Sequence, residues 1–241
     1  MIYSPSDFAA RGLEAQELTE AIRRGLDRVP ELTVLLVADL VRDHGPRRGG
    51  RTLARVAEVR DRGVVGITLG GSEQAFPPEP FEPVFAQARR LGFRTSAHAG
   101  EGAGPASVWG AIRSLRVERI GHGVRSVEDP ALVEHLAEGR IPLEVCPISN
   151  LRTGVVRSAG AHPIRELLDR GVPVTVSTDD PAMFGTSLAR EYELLEDEVG
   201  LTVRQIRGIV LNGARAAWLP PESRRCLERE IREHPAWTTA S

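Results

Sequence analysis

Short apolar runs recur along this chain at intervals of 23 to 32 residues, with amphipathic helical stretches between them. Strands that are apolar throughout are buried on both faces, and their alternation with helices favours a parallel sheet. A strand–helix repeat of this length along most of a chain is typical of a (β/α)8 barrel of the TIM type. The six clearest strands are predicted at residues 31–41, 63–71, 93–101, 118–123, 141–150 and 172–180.

The sequence MIYSP at the N-terminus indicates the end of a seventh strand, and a helix is predicted after it over residues 14–26. A closed barrel of this type needs eight strands. The expected fold is therefore α/β, a (β/α)8 TIM-type barrel that lacks its first strand and part of the second. The C-terminal third adds extra helices, and no linker divides the chain, so we expect a single domain over residues 1–241. These extra helices are predicted at residues 187–199, 202–218 and 223–233.

Composition excludes several classes of function. The formal net charge of −2 argues against nucleic acid or an anionic membrane surface as a partner. All 31 basic residues are arginine, which excludes a Schiff-base lysine and a P-loop lysine. No apolar run reaches the roughly 18 residues of a membrane span, and the N-terminus is unlike a signal peptide. Two cysteines without a CxxC motif fit a reducing compartment, so we expect a cytoplasmic location.

Polar side chains stand at the carboxyl ends of successive predicted strands, where barrel enzymes place their chemistry. His98 ends one strand, and Glu101 follows three residues later. His122 ends the next strand between two glycines, and Asp179 and Asp180 end the last one. Two adjacent carboxylates repel each other, and burying them is costly without a cation or hydrogen-bond donors nearby. A metal ion bound to one aspartate would make its neighbour tolerable.

Imidazole and carboxylate groups suit zinc with one coordination position left open for water. Zinc lowers the pKa of its bound water towards about 7, and a nearby carboxylic acid can protonate a substrate nitrogen. We therefore predict His98 and Asp179 as metal ligands. Glu101 is predicted as the proton donor, His122 as the group that orients water, and Asp180 as a substrate-binding residue.

Each of these residues also has a simpler interpretation. A histidine at a strand end is commonly structural, Glu101 alone would be a solvated loop residue, and Asp-Asp-Pro often caps a helix. Cys146 is expected to be a small packed residue without chemistry. The metal site is favoured because four such features follow one another at successive strand ends. The remaining histidines are expected to be surface or capping residues, and they are His44, His135, His162 and His234.

Four segments carry a resemblance to a known family. They are HAGE at 98–101, RIGHG at 119–123, EVCPISN at 144–150 and STDDPAMFGTSLAREY at 177–192. In these segments, and over nearly its whole length, the chain resembles the adenosine deaminase family of metal-dependent amidohydrolases. The resemblance implies hydrolytic deamination of a purine, in which zinc hydroxide adds to the carbon that carries the amine and ammonia leaves.

The resemblance also implies a role for each matching residue. His98 and Asp179 would bind zinc, and Glu101 would protonate a ring nitrogen. His122 would steer the hydroxide. The substrate would be bonded by Asp180 at another ring nitrogen, and by Gly71 through its backbone.

One part of the family's pattern is missing. The family carries an H-x-H pair on its first strand, which supplies two further zinc ligands, and this sequence contains no H-x-H. Two protein ligands are fewer than the three that are usual in a catalytic zinc site. We therefore expect this chain to bind zinc poorly and to have little activity. We further expect it to be an N-terminally shortened version of an active enzyme, for example from a wrong start codon.

The loop GITLGGSE at 66–73 differs from the more acidic loop typical of adenosine deaminases and resembles that of relatives acting on aminodeoxyfutalosine or adenine. The expected partner is a small purine nucleoside: adenosine, deoxyadenosine or aminodeoxyfutalosine.

The alternative function is that of a non-catalytic relative that binds a purine or a partner protein. The missing H-x-H favours this alternative, and the retained site residues oppose it. A metal-free sugar-phosphate isomerase is disfavoured, because no glycine-rich phosphate loop stands at the last strands.

Overall fold

The computed structural model describes residues 1–9 and 11–239. Seven strands alternate with helices among these residues, and each strand lies within a segment predicted as strand, so the α/β class is confirmed. The strands are β1 Ile2–Tyr3, β2 Leu36–Asp39, β3 Val64–Thr68, β4 Arg94–Ala99, β5 Arg119–His122, β6 Leu143–Val145 and β7 Val174–Val176. The chain divides into two compact units, Met1–Ile120 and Gly121–Ser241. The single domain expected from the sequence stays a prediction.

In the first unit, β1 to β4 pair in chain order, and all three pairings are parallel. Strand β2 is buried along its whole length, as the continuous apolar run predicts. Leu53 and Phe85 are fully buried among the helices of this unit. The helices are α1 Pro5–Ala9, α2 Ala15–Leu26, α3 Gly45–Ala57, α4 Glu82–Arg90 and α5 Pro105–Gly110, with 3-10 turns at Arg42–His44, Arg60–Arg62 and Glu79–Phe81 and a π-helical turn at Ala111–Leu115.

In the second unit, β6 and β7 form a parallel pair, and the last two residues of β5 also belong here. Helix α11 is tied to β7, because the side-chain amide of Asn212 donates to the Val174 carbonyl at 3.1 Å. The helices of this unit are α6 Pro130–Glu138, α7 Pro147–Arg152, α8 Ile164–Asp169, α9 Pro181–Phe184, α10 Leu188–Asp197, α11 Val203–Ala216, α12 Pro221–Glu233 and α13 Pro235–Thr239, with 3-10 turns at Val124–Glu128 and Ala159–Ala161.

Local capping sets the first turns of several helices. The Asp129 carboxylate accepts the Ala131 N–H at 3.0 Å at the start of α6. Thr202 and Gln205 form a reciprocal capping box at the start of α11. The capping box explains why α11 begins within one residue of its predicted start at residue 202. Within the described ranges, no helix has the length and apolar character that crossing a membrane requires.

Candidate functional site

Strand β4 and the turn after it carry two of the predicted site residues. His98 lies in β4, where its backbone N–H donates to the Leu69 carbonyl at 3.0 Å. Its own carbonyl accepts Nη2 of Arg42 at 2.6 Å. Glu101 follows in the turn and is half-buried. Both residues therefore lie at the carboxyl end of one strand. The backbone of His98 is held there by hydrogen bonds to Leu69 and Arg42.

The turn after β4 is held by a carboxylate to which the sequence analysis assigned no role. Glu73 accepts the backbone N–H groups of Gly100 at 2.5 Å, Glu101 at 3.1 Å and Gly102 at 2.8 Å. Burial acts to raise the pKa of Glu73, but the hydrogen-bond donors around it outweigh burial and bring the pKa below its ordinary value. Glu73 is therefore an ionised acceptor that fixes the backbone of the proposed proton donor.

Gly71 lies in the loop after β3 and is exposed. Its φ of 97° falls in the left-handed region that favours glycine. A Cβ atom at this position would overlap a carboxylate oxygen of Asp43. The loop therefore needs glycine here, and its backbone is left uncovered by any side chain of its own.

In the second unit, His122 ends β5 and is buried. The side-chain amide nitrogen of Asn150 lies 3.2 Å from Nδ1 of His122. The other ring nitrogen, Nε2, lies 3.8 Å from Oδ2 of Asp179. The buried ring of His122 therefore lies between the Asn150 amide and the Asp179 carboxylate.

Asp179 and Asp180 follow β7, and both are exposed, whereas the sequence argument treated them as a buried pair. The structure supplies each carboxylate with its own hydrogen-bond donor. The Ser149 hydroxyl donates to Oδ2 of Asp179 at 2.7 Å. The Met183 N–H donates to Asp180 at 2.9 Å, so Asp180 caps the short helix α9. Solvent and these donors account for the two neighbouring carboxylates without requiring a cation.

Three donor groups in the second unit could together hold a metal ion. The ligand atoms of His122, Cys146 and Asp179 all lie within 4.8 Å of one another. Nitrogen, sulfur and carboxylate oxygen are all established donors to zinc, so this donor set fits the metal. The sequence analysis gave Cys146 no chemistry, and it is indeed buried, yet its thiol lies beside two predicted site residues. His98, the other predicted ligand, belongs to the first unit.

Sequence reasoning missed the residues that orient the site. Ser149 and Asn150 stand in helix α7, which begins at Pro147 directly after β6. Glu191 on α10 is fully buried, and its carboxylate accepts the Ile148 N–H at 2.9 Å. Burial is the main cause that raises the pKa of Glu191. The CPISN segment was a signal for Ser149 and Asn150, since it places two polar side chains just after a strand end. Glu191 lies in the segment 177–192 that carries the family resemblance.

The other histidines divide into two groups. His44 pairs with Asp7 at 3.1 Å and His234 is exposed, as expected for surface residues. His162 is buried with 4% of its surface exposed, and its Nδ1 accepts the Ile164 N–H at 3.2 Å. It is therefore a capping residue inside the second unit and not a surface one. Burial lowers the pKa of His162 from 6.5 to about 4.

Comparison with known proteins gives relatives that are purine deaminases. The chain is 44% identical over 184 residues to an aminodeoxyfutalosine deaminase of Streptomyces avermitilis, covering 76% of this chain and 51% of the relative. It is 38% identical over 233 residues to an adenosine deaminase of Klebsiella pneumoniae, covering 95% of this chain and 70% of the relative. The chain thus spans about half the length of the first of these relatives and somewhat more than two thirds of the second.

Solved structures agree with these relatives. An adenine deaminase from Arthrobacter aurescens matches 99% of this chain and 73% of its own, with a TM-score of 0.92 and 29% identity. An amidohydrolase from Burkholderia ambifaria with bound zinc matches 98% of this chain and 67% of its own, with a TM-score of 0.90 and 27% identity. An Arabidopsis relative solved in complex with GMP matches 98% of this chain and 72% of its own, with a TM-score of 0.85 and 25% identity.

These matches confirm the predicted fold class. The model of the adenosine deaminase family matches residues 1–234 of the 241 in this chain. All of the predicted site residues lie within that match. This chain belongs to the adenosine deaminase family.

Proposed function

We propose that this chain carries the site of a zinc-dependent deaminase, which converts an adenine-containing purine to its hypoxanthine form and releases ammonia. The observation that supports this most directly is the relation of His122 to Asp179. The Asn150 amide contacts Nδ1 of His122 at 3.2 Å, and Nε2 of the same ring lies 3.8 Å from Oδ2 of Asp179. An imidazole beside a carboxylate that is held by Ser149 is suited to orient a water molecule.

His98 and Asp179 would hold the metal, and bound zinc would supply an acidic water molecule at neutral pH. His122 would hydrogen-bond to the attacking oxygen and so direct it toward the purine carbon. Glu101 would give a proton to the neighbouring ring nitrogen, which balances the charge as the oxygen adds. Of the two protons of the water, one would replace the proton that Glu101 gives up, and the other would pass to the exocyclic amine. The amine would then leave as ammonia, so one water is consumed for each ammonia released. Asp180 would bond a second ring nitrogen.

The substrate class follows from the loop after β3 and from the relatives. The GGSE sequence of this loop is expected to contact the base through the backbone of Gly71, whose left-handed conformation leaves the loop surface open. We propose aminodeoxyfutalosine, adenosine and adenine as the three substrates to test. Because the chain itself offers only His98 and Asp179 from the family's ligand set, we also propose that it holds zinc weakly and is impaired as a catalyst.

A second candidate function is favoured by the missing H-x-H pair. In this alternative the chain binds a purine without converting it, and the polar groups of the site serve only recognition. The two candidates differ in what they require of Glu101. Catalysis needs its proton, whereas recognition needs at most a hydrogen bond.

The test compares the parent chain with Glu101→Gln in the presence of added zinc, and Glu128→Gln serves as the control. Glu128 is exposed and pairs only with Arg125 among the described residues. We expect Glu101→Gln to lower ammonia release roughly 10²- to 10⁴-fold, as loss of a general acid does, while purine binding stays within a few fold. Purine binding by the parent chain without ammonia release, or release unchanged in Glu101→Gln, would contradict the proposed mechanism.

A further inference from the structure

The segment after β2 carries three charged side chains that have no role in the proposed reaction. Asp39 ends the strand, and Arg42 and Asp43 lie in the 3-10 turn that follows. Arg42 is fully buried, with 0% of its surface exposed. A buried guanidinium is costly unless its donors are all engaged, so the partners of Arg42 indicate what this segment does.

Arg42 donates to four backbone carbonyls. Its Nε reaches Gly70 at 3.2 Å, its Nη1 reaches Phe76 at 3.0 Å, and its Nη2 reaches Leu69 at 3.2 Å. Nη2 also reaches the carbonyl of His98 at 2.6 Å. One side chain thereby joins the end of β3, the loop after it, and the strand that carries a proposed zinc ligand.

The two aspartates accept hydrogen bonds from the same loop. Oδ1 of Asp39 accepts the Gly70 N–H at 2.7 Å. Asp43 accepts the Ser72 N–H at 2.7 Å and the Ser72 hydroxyl at 2.5 Å. The two carboxylates lie very close to the glycines. A Cβ atom at Gly70 would overlap Asp39, and one at Gly71 would overlap Asp43. The backbone of Gly71 is therefore fixed on both of its flanks.

The loop ends in Glu73, which reaches the turn after β4. Its carboxylate accepts three consecutive backbone N–H groups, including that of Glu101. The chain of hydrogen bonds thus runs from β2 through the GGSE loop to the proposed proton donor. We refer to Asp39, Arg42, Asp43 and Glu73 as the clamp. All of its residues and bonds lie within the first unit.

We propose that the clamp positions two separate parts of the active site: Asp43 fixes the Gly71 backbone that contacts the purine, and Glu73 fixes the turn that aims Glu101. This inference rests on the proposed function. Because the four clamp residues act through the backbone of others, they are positioning residues and touch no reacting atom. The roles of Asp43 and Glu73 predict different kinetic effects for the two variants. A general loss of stability would give both variants the same effect.

The first experiment separates KM from kcat in Asp43→Asn and Glu73→Gln, with zinc added. Misplacing a group by about 1 Å costs on the order of 100-fold, so we expect effects of roughly 10- to 100-fold. In Asp43→Asn the rise should appear in KM with kcat nearly constant, since only the base-contacting loop loses its hold. In Glu73→Gln the loss should appear in kcat with KM nearly constant. The control is Asp61→Asn, because the one ion pair of Asp61 among the described residues is a 4.0 Å contact with Arg62, so this change should alter neither constant.

The second experiment needs no activity and so separates this inference from the proposed function. Amide hydrogen exchange is measured on the full chain, on both clamp variants and on Asp61→Asn. We expect faster exchange at residues 100–102 in Glu73→Gln and at Ser72 in Asp43→Asn, with unchanged exchange in the strands. If the parent converts no purine but these local changes occur, the proposed function fails and the clamp stands. Equal exchange in parent and variants, or equal changes of KM and kcat in both variants, would overturn the clamp.

Discussion

Two of the predicted site residues of the second unit share an uncommon backbone conformation. His122 has a φ of 60° and Asp179 a φ of 57°, both in the left-handed region. Non-glycine residues there cost roughly 1–2 kcal/mol each, and such strain persists where a side chain is needed in place. The residue types at strand ends predicted both positions. The backbone strain and the partners Ser149 and Asn150 were beyond prediction, because spacing does not reveal which side chains from α7 will reach them.

Replacing Ser149 by alanine should weaken zinc binding. Its hydroxyl donates to Oδ2 of Asp179 at 2.7 Å, and loss of such an outer partner typically lowers metal affinity about 10- to 100-fold. The measurement is a competition titration with a chromophoric zinc chelator. Ser223→Ala is the control, since Ser223 is exposed on α12. Equal zinc affinity in Ser149→Ala and the parent would show that Asp179 is not oriented by this bond or is not a ligand.

His162 should make the stability of the chain depend on pH. Its pKa of about 4 in the folded chain lies below the ordinary 6.5, because burial disfavours the charged ring. Between these values the unfolded chain binds a proton that the folded chain does not. The contribution of His162 to the free energy of unfolding is therefore fully present above about pH 6.5. It is lost as the pH drops toward 4, and the total loss is about 3 kcal/mol.

The variant His162→Asn tests this dependence, because its side-chain oxygen can still accept the Ile164 N–H but does not titrate. Urea unfolding at a series of pH values should give a smaller loss of stability between pH 6.5 and 4 than in the parent. His135→Asn is a control, since it removes a different histidine on α6. Parallel pH profiles for parent and His162→Asn would contradict the assignment.

At the scale of elements, hydrophobic periodicity predicted which strands exist better than it predicted where each strand ends. The run at 141–150 was predicted as one strand, yet only Leu143–Val145 is strand. Pro147 then begins α7, because proline is accepted in the first turn of a helix and cannot donate to a sheet. This misread boundary matters for the site, since the polar end of the run became the helix that carries Ser149 and Asn150.

The capping box of α11 gives a prediction for one element. Thr202→Ala removes the side-chain oxygen that accepts the Gln205 N–H at 3.2 Å. Loss of an N-cap typically costs about 1 kcal/mol, so the free energy of unfolding in urea should fall by about that amount. Arg204→Ala on the same helix is the control, because it leaves the cap intact. A cost equal to that of the control would show that the box does not hold the start of α11.

At the scale of the whole molecule, the family and the fold class were predictable from four short segments in a fixed order. The family match over residues 1–234 confirms that prediction. The clamp was not predictable, because its hydrogen bonds join residues up to 56 positions apart. Most of them also involve backbone N–H groups or carbonyls, which carry no sequence signal. Zinc affinity and substrate also depend on such distant groupings, so they stay proposals that measurement must test.

The measurement that tests the central claim most directly is ammonia release from adenosine, adenine and aminodeoxyfutalosine as zinc is titrated into this chain. We predict little release without added zinc, because the chain offers few ligands, and a rise with zinc for one of the three purines. The same rise should be absent in Glu101→Gln. Purine binding with no ammonia at any zinc concentration would contradict the deaminase account and favour a non-catalytic binding protein.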